Sequence, residues 1–455
     1  MSITERLADL DDTVVERLRQ ASRRRRSTWT NWAGNQTARP VSIECPTTEE
    51  EVSALVARAV HHGHTVKAVG AGHSFTAAAC TDGHLVRLDG LSGLLDVDRT
   101  AGTVTVHGGM RLSDLNTVLH GLGLALPNLG DIAYQSVSGA ISTATHGTGR
   151  HLTGLAGQVA GLRVVTGDGS VMDLSSTKHP DLFEAAKVGV GALGIITAVT
   201  LNVVPAFRLR AIEGAKPVDV ILGNLDELVE TNDHFEFFWI PHTKWALTKE
   251  NNRTEDPVFV PSRMRRWYAD TFLSNYAFGA VCRVGRARPQ LIPRLATALP
   301  SSGVSTYVDH SHRVFTSQRL VRFVEMEYAI PRQACAEALG RVRRMIEDRS
   351  YLVSFPVEVR FTAADDIPLS TAQGRETAYI AVHMYKGMEF SPYFRDVAAI
   401  MADYAGRPHW GKMHYLSADD LAPLYPRWNE FQEARRRMDP MRTFANDYTR
   451  RVFGD

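Results

Sequence analysis

His73 closes a glycine-rich turn, Val69-Gly70-Ala71-Gly72-His73-Ser74-Phe75. Gly70 and Gly72 permit a tight turn that presents its N–H groups, an arrangement that suits a diphosphate. An imidazole nitrogen beside such a turn is also a competent nucleophile toward an activated methyl group. A second stretch, from Pro127 to Gly149, carries Gly130, Asp131, Ser136, Ser138, Gly139, Ser142, Thr143, Thr145 and His146. Its hydroxyls supply hydrogen-bond donors with little bulk. Taken alone, the glycine turn reads equally well as an ordinary turn after a strand. The two stretches together read as two walls of a slot for a large phosphorylated cofactor.

Three further groups could do chemistry. Glu358 and Arg360 stand two apart in Val357-Glu-Val-Arg-Phe361, so on a strand both leave the same face. A carboxylate accepts from hydroxyls and a guanidinium donates, so the pair suits a polyol. On residue type alone it reads as a surface ion pair, worth little. Lys412 ends His409-Trp410-Gly411-Lys412. Its cation suits a developing anion, and His409 either supports it or takes a hydroxyl proton. His383 and Tyr385 alternate on Ala381-Val-His-Met-Tyr385 and point to one wall of the same pocket.

Elements must position these groups. The chain has 455 residues, with 44% hydrophobic and 22% charged, as a globular protein of one very large domain or two ordinary ones would. A net charge of +1 argues against nucleic acid as a partner, and no integral membrane segment is expected. Four scattered cysteines read as reduced thiols in a cytoplasm. The histidines give no HExxH spacing, and no metal site is expected. No GxGxxG opens a helix after a strand, which argues against a nicotinamide cofactor. Ile3 to Arg26 reads as a helix ending in Arg23-Arg24-Arg25-Arg26, either a solvated helix end or a contact for an anion, membrane or partner. Thr47 or Thr48 caps a helix that starts at Glu49. Hairpin turns fall at Ala101-Gly102 and Gly167 to Gly169. Asn251 to Ser262 reads as a loop. The β-α-β start followed by hairpins predicts an α+β fold, with a second, antiparallel-sheet domain beyond about Phe207.

The two loops and Arg407-Pro-His-Trp-Gly-Lys412, in this order, resemble the aldonolactone oxidoreductase branch of the vanillyl-alcohol-oxidase type flavoproteins. That resemblance covers Trp29 to Gly454. It says nothing of the helical extension at 1–27, and implies an FAD-binding domain at 28–206, a substrate (cap) domain at 207–411, and a segment at 412–455 that returns to the FAD domain. It implies FAD attached covalently through His73. No cysteine occurs in Pro127 to Gly149, so a second attachment is not implied. It places Val69, Gly70, Ala71, Gly72, Ser74, Phe75, Asp131, Ser136, Gly139, Thr143, Thr145, His146 and Ile196 around the flavin. It implies that Asp131, Glu358, Arg360, His383, Tyr385 and Lys412 bind a sugar-1,4-lactone, and that Glu358, Arg360, His409 and Lys412 are catalytic. Gly130 would leave room for oxygen. Electrons would pass to oxygen or to another acceptor, a cytochrome or quinone, in a protein either free in the cytoplasm or peripheral to the membrane. Asp131 and Tyr385 depart from the serine and threonine of the alditol oxidases, so an alditol is the alternative substrate, with other polyhydroxylated metabolites.

Overall fold

The computed structural model describes residues 28–262, 277–298 and 303–455; the expected N-terminal helix and its arginines lie outside them. Thr48 caps the helix Glu49–His61 by accepting from the Glu51 N–H at 3.2 Å, and three glutamates fill its first turn. Its stripe of Val52, Leu55, Val56 and Ala59 is buried. That stripe covers a small parallel sheet of Ser42–Glu44, His84–Arg87 and Val66–Val69, with His84–Arg87 central. Val66–Val69 runs straight into the Gly70 turn.

A second sheet holds five antiparallel strands in the order Val171–Ser175, Val159–Val165, Ile195–Asn202, Thr103–His107 and Leu94–Asp98. Both expected hairpins are present: Asp98 pairs with Thr103, and Val165 with Val171.

The third sheet is larger. Its eight strands lie in the order Val304–His310, Arg208–Pro217, Trp245–Thr254, His234–Trp239, Val357–Thr362, Thr377–Tyr385, Phe323–Pro331 and Arg407–Pro408. Every pairing is antiparallel. One face carries Phe237, Val359, Ile380 and Met326 into a core. The helices Cys335–Asp348 and Ser391–Ala402 cover that face with Leu339, Val342, Phe394 and Val397. The opposite face holds charged side chains, which is the alternation a one-sided core imposes.

Two expectations change. The stretch from Asn251 begins as strand, which persists to Thr254, because its backbone pairs with Arg208 to Ala211 on one side. The Asn252 amide donates to Asn232 at 2.7 Å, a partner that the loop reading overlooks. The chain also crosses between cores within 207–411: Ile367, Leu369 and Trp410 pack with the five-stranded sheet, beside the C-terminal helices Trp428–Met438 and Asp447–Phe453. No helix among the described residues is long and apolar enough to cross a membrane. All four cysteines are free.

Candidate active site

The slot forms where the three sequence motifs meet. The Phe75 N–H donates to the Gly411 carbonyl at 2.7 Å, and the Thr76 hydroxyl to the Trp410 carbonyl at 3.2 Å, so the first motif is tied to the third. Residues 69–74 line one wall, and Ser136, Ser138, Gly139, Ser142 and Thr143 the other. Gly70 faces Ser136 so closely that a Cβ there would lie 1.9 Å from the hydroxyl oxygen. Gly72 has a φ of +68°, the left-handed region that glycine adopts without strain. The slot therefore offers close backbone approach and small neutral donors on both sides, which fits a diphosphate and a flat ring.

His73 stacks on Trp32 with ring centroids 5.3 Å apart. Burial, with help from the Arg111 charge, pulls its pKa down to about 4. The ring is therefore neutral near pH 7, with a lone pair for attack.

A second cavity adjoins the slot, and Gln135 lines both. The charged face of the eight-stranded sheet builds its floor. Strand register sets Lys249 opposite Glu236, and Glu325 opposite His383. Arg360 reaches Glu236 through Nε at 2.7 Å and contacts Glu358. Burial costs the Arg360 cation, but Glu236, Glu358 and Asp131 more than offset it and raise its pKa. Burial raises the Glu358 carboxyl, and Arg360 only partly opposes that.

Lys412 lies between two carboxylates, 2.5 Å from Glu325 and 2.7 Å from Glu327. Burial disfavours its cation, but the two carboxylates outweigh this and raise its pKa. Burial would raise Glu325, yet Lys412 and His383 hold it down at about 2. The His146 Nδ1 faces the Gly147 carbonyl at 2.9 Å and its Nε2 faces Glu327 at 2.9 Å. A backbone carbonyl and a carboxylate therefore fix the ring from its two nitrogens. The His146 ring stacks on Tyr379 at 3.5 Å. The buried trio of His146, Glu327 and His409 brings ligand atoms within 4.8 Å of one another, a spacing a metal ion could use. Its Glu327 oxygens are engaged by Lys412 and His146.

The expected site residues divide between the two cavities. Val69, Gly70, Ala71, Gly72, His73, Ser74, Ser136, Gly139, Thr143 and Ile196 line the slot. Gly130, Asp131, Thr145, His146, Glu358, Arg360, His383, His409 and Lys412 line the pocket. Thr145 and His146 therefore face the pocket, because the chain leaves the slot after the short helix Val137–Ser142. Phe75 belongs to neither; it packs into the core of the large sheet. Tyr385 is also outside the pocket. It stacks on Phe355 at 6.4 Å, and Phe355 stands in the wall instead.

Two roles change as well. The His409 Nδ1 accepts from the Gly411 N–H at 3.1 Å, and burial beside Lys412 holds its pKa at about 3. The neutral ring thus carries its hydrogen on Nε2 and is a donor, not a base. Asp131 accepts from Ser317 at 2.6 Å and from Arg319 at 2.8 Å, so it anchors Arg319 over the pocket. Gly130 lines the pocket, and a Cβ there would lie 3.1 Å from the His146 carbonyl oxygen, so a larger residue would crowd this spot.

Glu325, Glu327, Glu236, Lys249 and Arg319 escape the sequence reading. Glu325 and Glu327 alternate with the buried Val324, Met326 and Tyr328. This is the same two-residue spacing that singles out Glu358 and Arg360, and it would have found them.

A D-arabinono-1,4-lactone oxidase family model matches residues 199–452, and an FAD binding domain model matches residues 40–175. Over 429 residues the chain is 47% identical to an L-gulono-1,4-lactone dehydrogenase of Mycobacterium tuberculosis, which covers 94% of this chain and 99% of the relative. It is 34% identical over 436 residues to an L-gulonolactone oxidase of Bos taurus, covering 93% of this chain and 97% of that one. The fold is similar to that of a cholesterol oxidase from Brevibacterium sterolicum, with a TM-score of 0.81 at 16% identity over 94% of this chain and 96% of that one. With the slot, the pocket and these matches together, the chain belongs to the D-arabinono-1,4-lactone oxidase family of FAD-dependent oxidoreductases.

Proposed function

We propose that the protein oxidises a sugar-1,4-lactone, L-gulono- or D-arabinono-1,4-lactone, at the hydroxyl next to the ring carbonyl. One observation carries the reading: the Glu358–Arg360 pair lies inside a pocket that shares the Gln135 wall with the flavin slot. Bound flavin supplies hydride acceptance at N5. The chain's own groups do the rest. Arg360 and Arg319 donate to substrate oxygens, and Lys412 steadies negative charge at the junction. Glu358, raised by burial, takes the hydroxyl proton. The aromatic wall of Phe238, Phe323 and Phe355 suits a compact ring.

His73 carries the flavin covalently in this reading, supported by its neutral ring and its place in the slot. Residues 28–206 with 412–455 hold the cofactor, and 207–411 supply most of the pocket. A cytoplasmic location fits the four free cysteines.

A substrate panel tests the reading. Purified protein is given L-gulono-, L-galactono- and D-arabinono-1,4-lactone, xylitol and sorbitol, with flavin bleaching followed without oxygen. Bleaching by lactones alone supports it; bleaching by alditols alone overturns it. Re-oxidation by oxygen, cytochrome c or a quinone then assigns the acceptor. Yellow colour that stays in an acid precipitate, and is lost in His73→Ala, establishes the link.

A further inference from the structure

Lys67 lies on Val66–Val69, the strand that feeds the Gly70 turn, and lines the cofactor slot. Only 1% of it is exposed. Its Nζ donates to the Gly191 carbonyl at 2.9 Å and to the Phe444 carbonyl at 3.1 Å. That uses two of the three N–H bonds of an ammonium. No carboxylate among the described residues forms an ion pair with it within 4.0 Å. Asp439 acts on it electrostatically, but its two oxygens are engaged by the Thr443 and Phe444 N–H groups. Arg435 adds a like charge. Burial therefore dominates and draws the Lys67 pKa down to about 7.

A buried ammonium without a counter-ion is costly, and the slot shows what would compensate it. Among the described residues lining the slot, Lys67 is the only lysine or arginine; the other polar side chains are hydroxyls, an amide, an indole and the neutral His73. Those groups bind a diphosphate by hydrogen bonds but bring no charge to balance it. We propose that Lys67 is the counter-ion of the FAD diphosphate: the slot lacks a cation without it, and it lacks an anion until the dinucleotide enters. Two carbonyls hold the ammonium in place, one of them from the C-terminal segment. That segment thereby helps build the dinucleotide site.

The role makes two predictions of opposite sign for Lys67→Met, which keeps the stem and deletes the charge. FAD should leave at least tenfold faster from Lys67→Met in a His73→Ala background, where the flavin exchanges freely. The flavin-free protein should melt at a higher temperature than its Lys67 parent, because an uncompensated charge is gone. With His73 intact, flavin per chain after expression should also fall. FAD release within twofold of the parent overturns the proposal. So does faster release together with a lower melting temperature of the flavin-free protein, which would mark Lys67 as a structural tie between strand and C-terminus. If His73→Ala alone retains no flavin, flavin per chain in the single Lys67→Met variant decides, and unchanged incorporation overturns the proposal.

Discussion

The slot and the pocket share a wall but are built on different principles. The slot is made of glycines, hydroxyls and backbone from short contiguous motifs, and among the described residues Lys67 is its single strong charge. The pocket is made of charges from strands far apart in the chain, each balanced by another. Lys249 pairs with Glu236, Arg360 with Glu236 and Glu358, Lys412 with Glu325 and Glu327, and Arg319 with Asp131. Apart from that one charge the slot is a matter of shape, so most of its weak points are steric. The pocket holds its own shape by charge, so its weak point is the loss of one partner.

The largest effect should come from Lys412→Met. Two buried carboxylates would lose their common cation, and breaking such a pair costs about 3–5 kcal/mol. Turnover with the lactone should fall on the order of 10³-fold, with flavin retained in the slot. A fall of under tenfold would remove Lys412 from the centre of the contrast.

Acid should act on the pocket before the slot. Glu325 has a folded pKa of about 2 against an ordinary 4.5. Its contribution is complete above about pH 4.5 and is lost as pH falls from there toward 2. The difference is on the order of 3 kcal/mol, shared with Lys412. Denaturant unfolding of the protein and of Glu325→Gln should converge as pH falls from about 4.5 toward 2. Parallel curves across that range would show that the charge pair does not stabilise the fold.

Gly70→Ala tests the slot sterically. The new methyl would strike the Ser136 hydroxyl, and overpacking costs about 1–3 kcal/mol. Flavin absorbance per chain should fall about tenfold, and Ser136→Gly in the same chain should restore part of it. Asp131→Asn should be milder, because Arg319 is about one third exposed and solvent screens the pair. KM should rise roughly fivefold, with turnover nearly unchanged. Tyr385→Phe should be the smallest, within about twofold in both constants, because the ring stands behind Phe355. A tenfold loss there would return Tyr385 to the pocket wall.

Residue identity makes the two regions unequally legible. The Gly70 turn, the hydroxyl stretch and His73 form local patterns whose physical meaning needs few partners. Glu358 and Arg360 are visible through strand alternation, although alone they resemble a surface pair. Glu325 and Glu327 share that alternation but sit in a stretch otherwise apolar enough to look like simple core strand. Arg319 carries no pattern at all, since its position depends on Asp131, 188 residues earlier. The sequence neighbours of Phe75 and Tyr385 point both to the site walls, yet packing turns both away.

By itself, then, the sequence determined the cofactor side: backbone conformation, small size and nucleophilic character belong to residue types and short spacings. It also determined the α+β alternation, because hydrophobic period is a local property. Only the tertiary structure decided the pocket. Which carboxylate meets which cation depends on strand register and sheet order, and burial together with pairing shifts Glu325 down and Glu358 and Lys412 up. The proton position on His409 was likewise settled by one backbone N–H two residues away in the folded turn. Electrostatics in a buried site is a property of neighbours, and neighbours across a sheet are chosen by the fold.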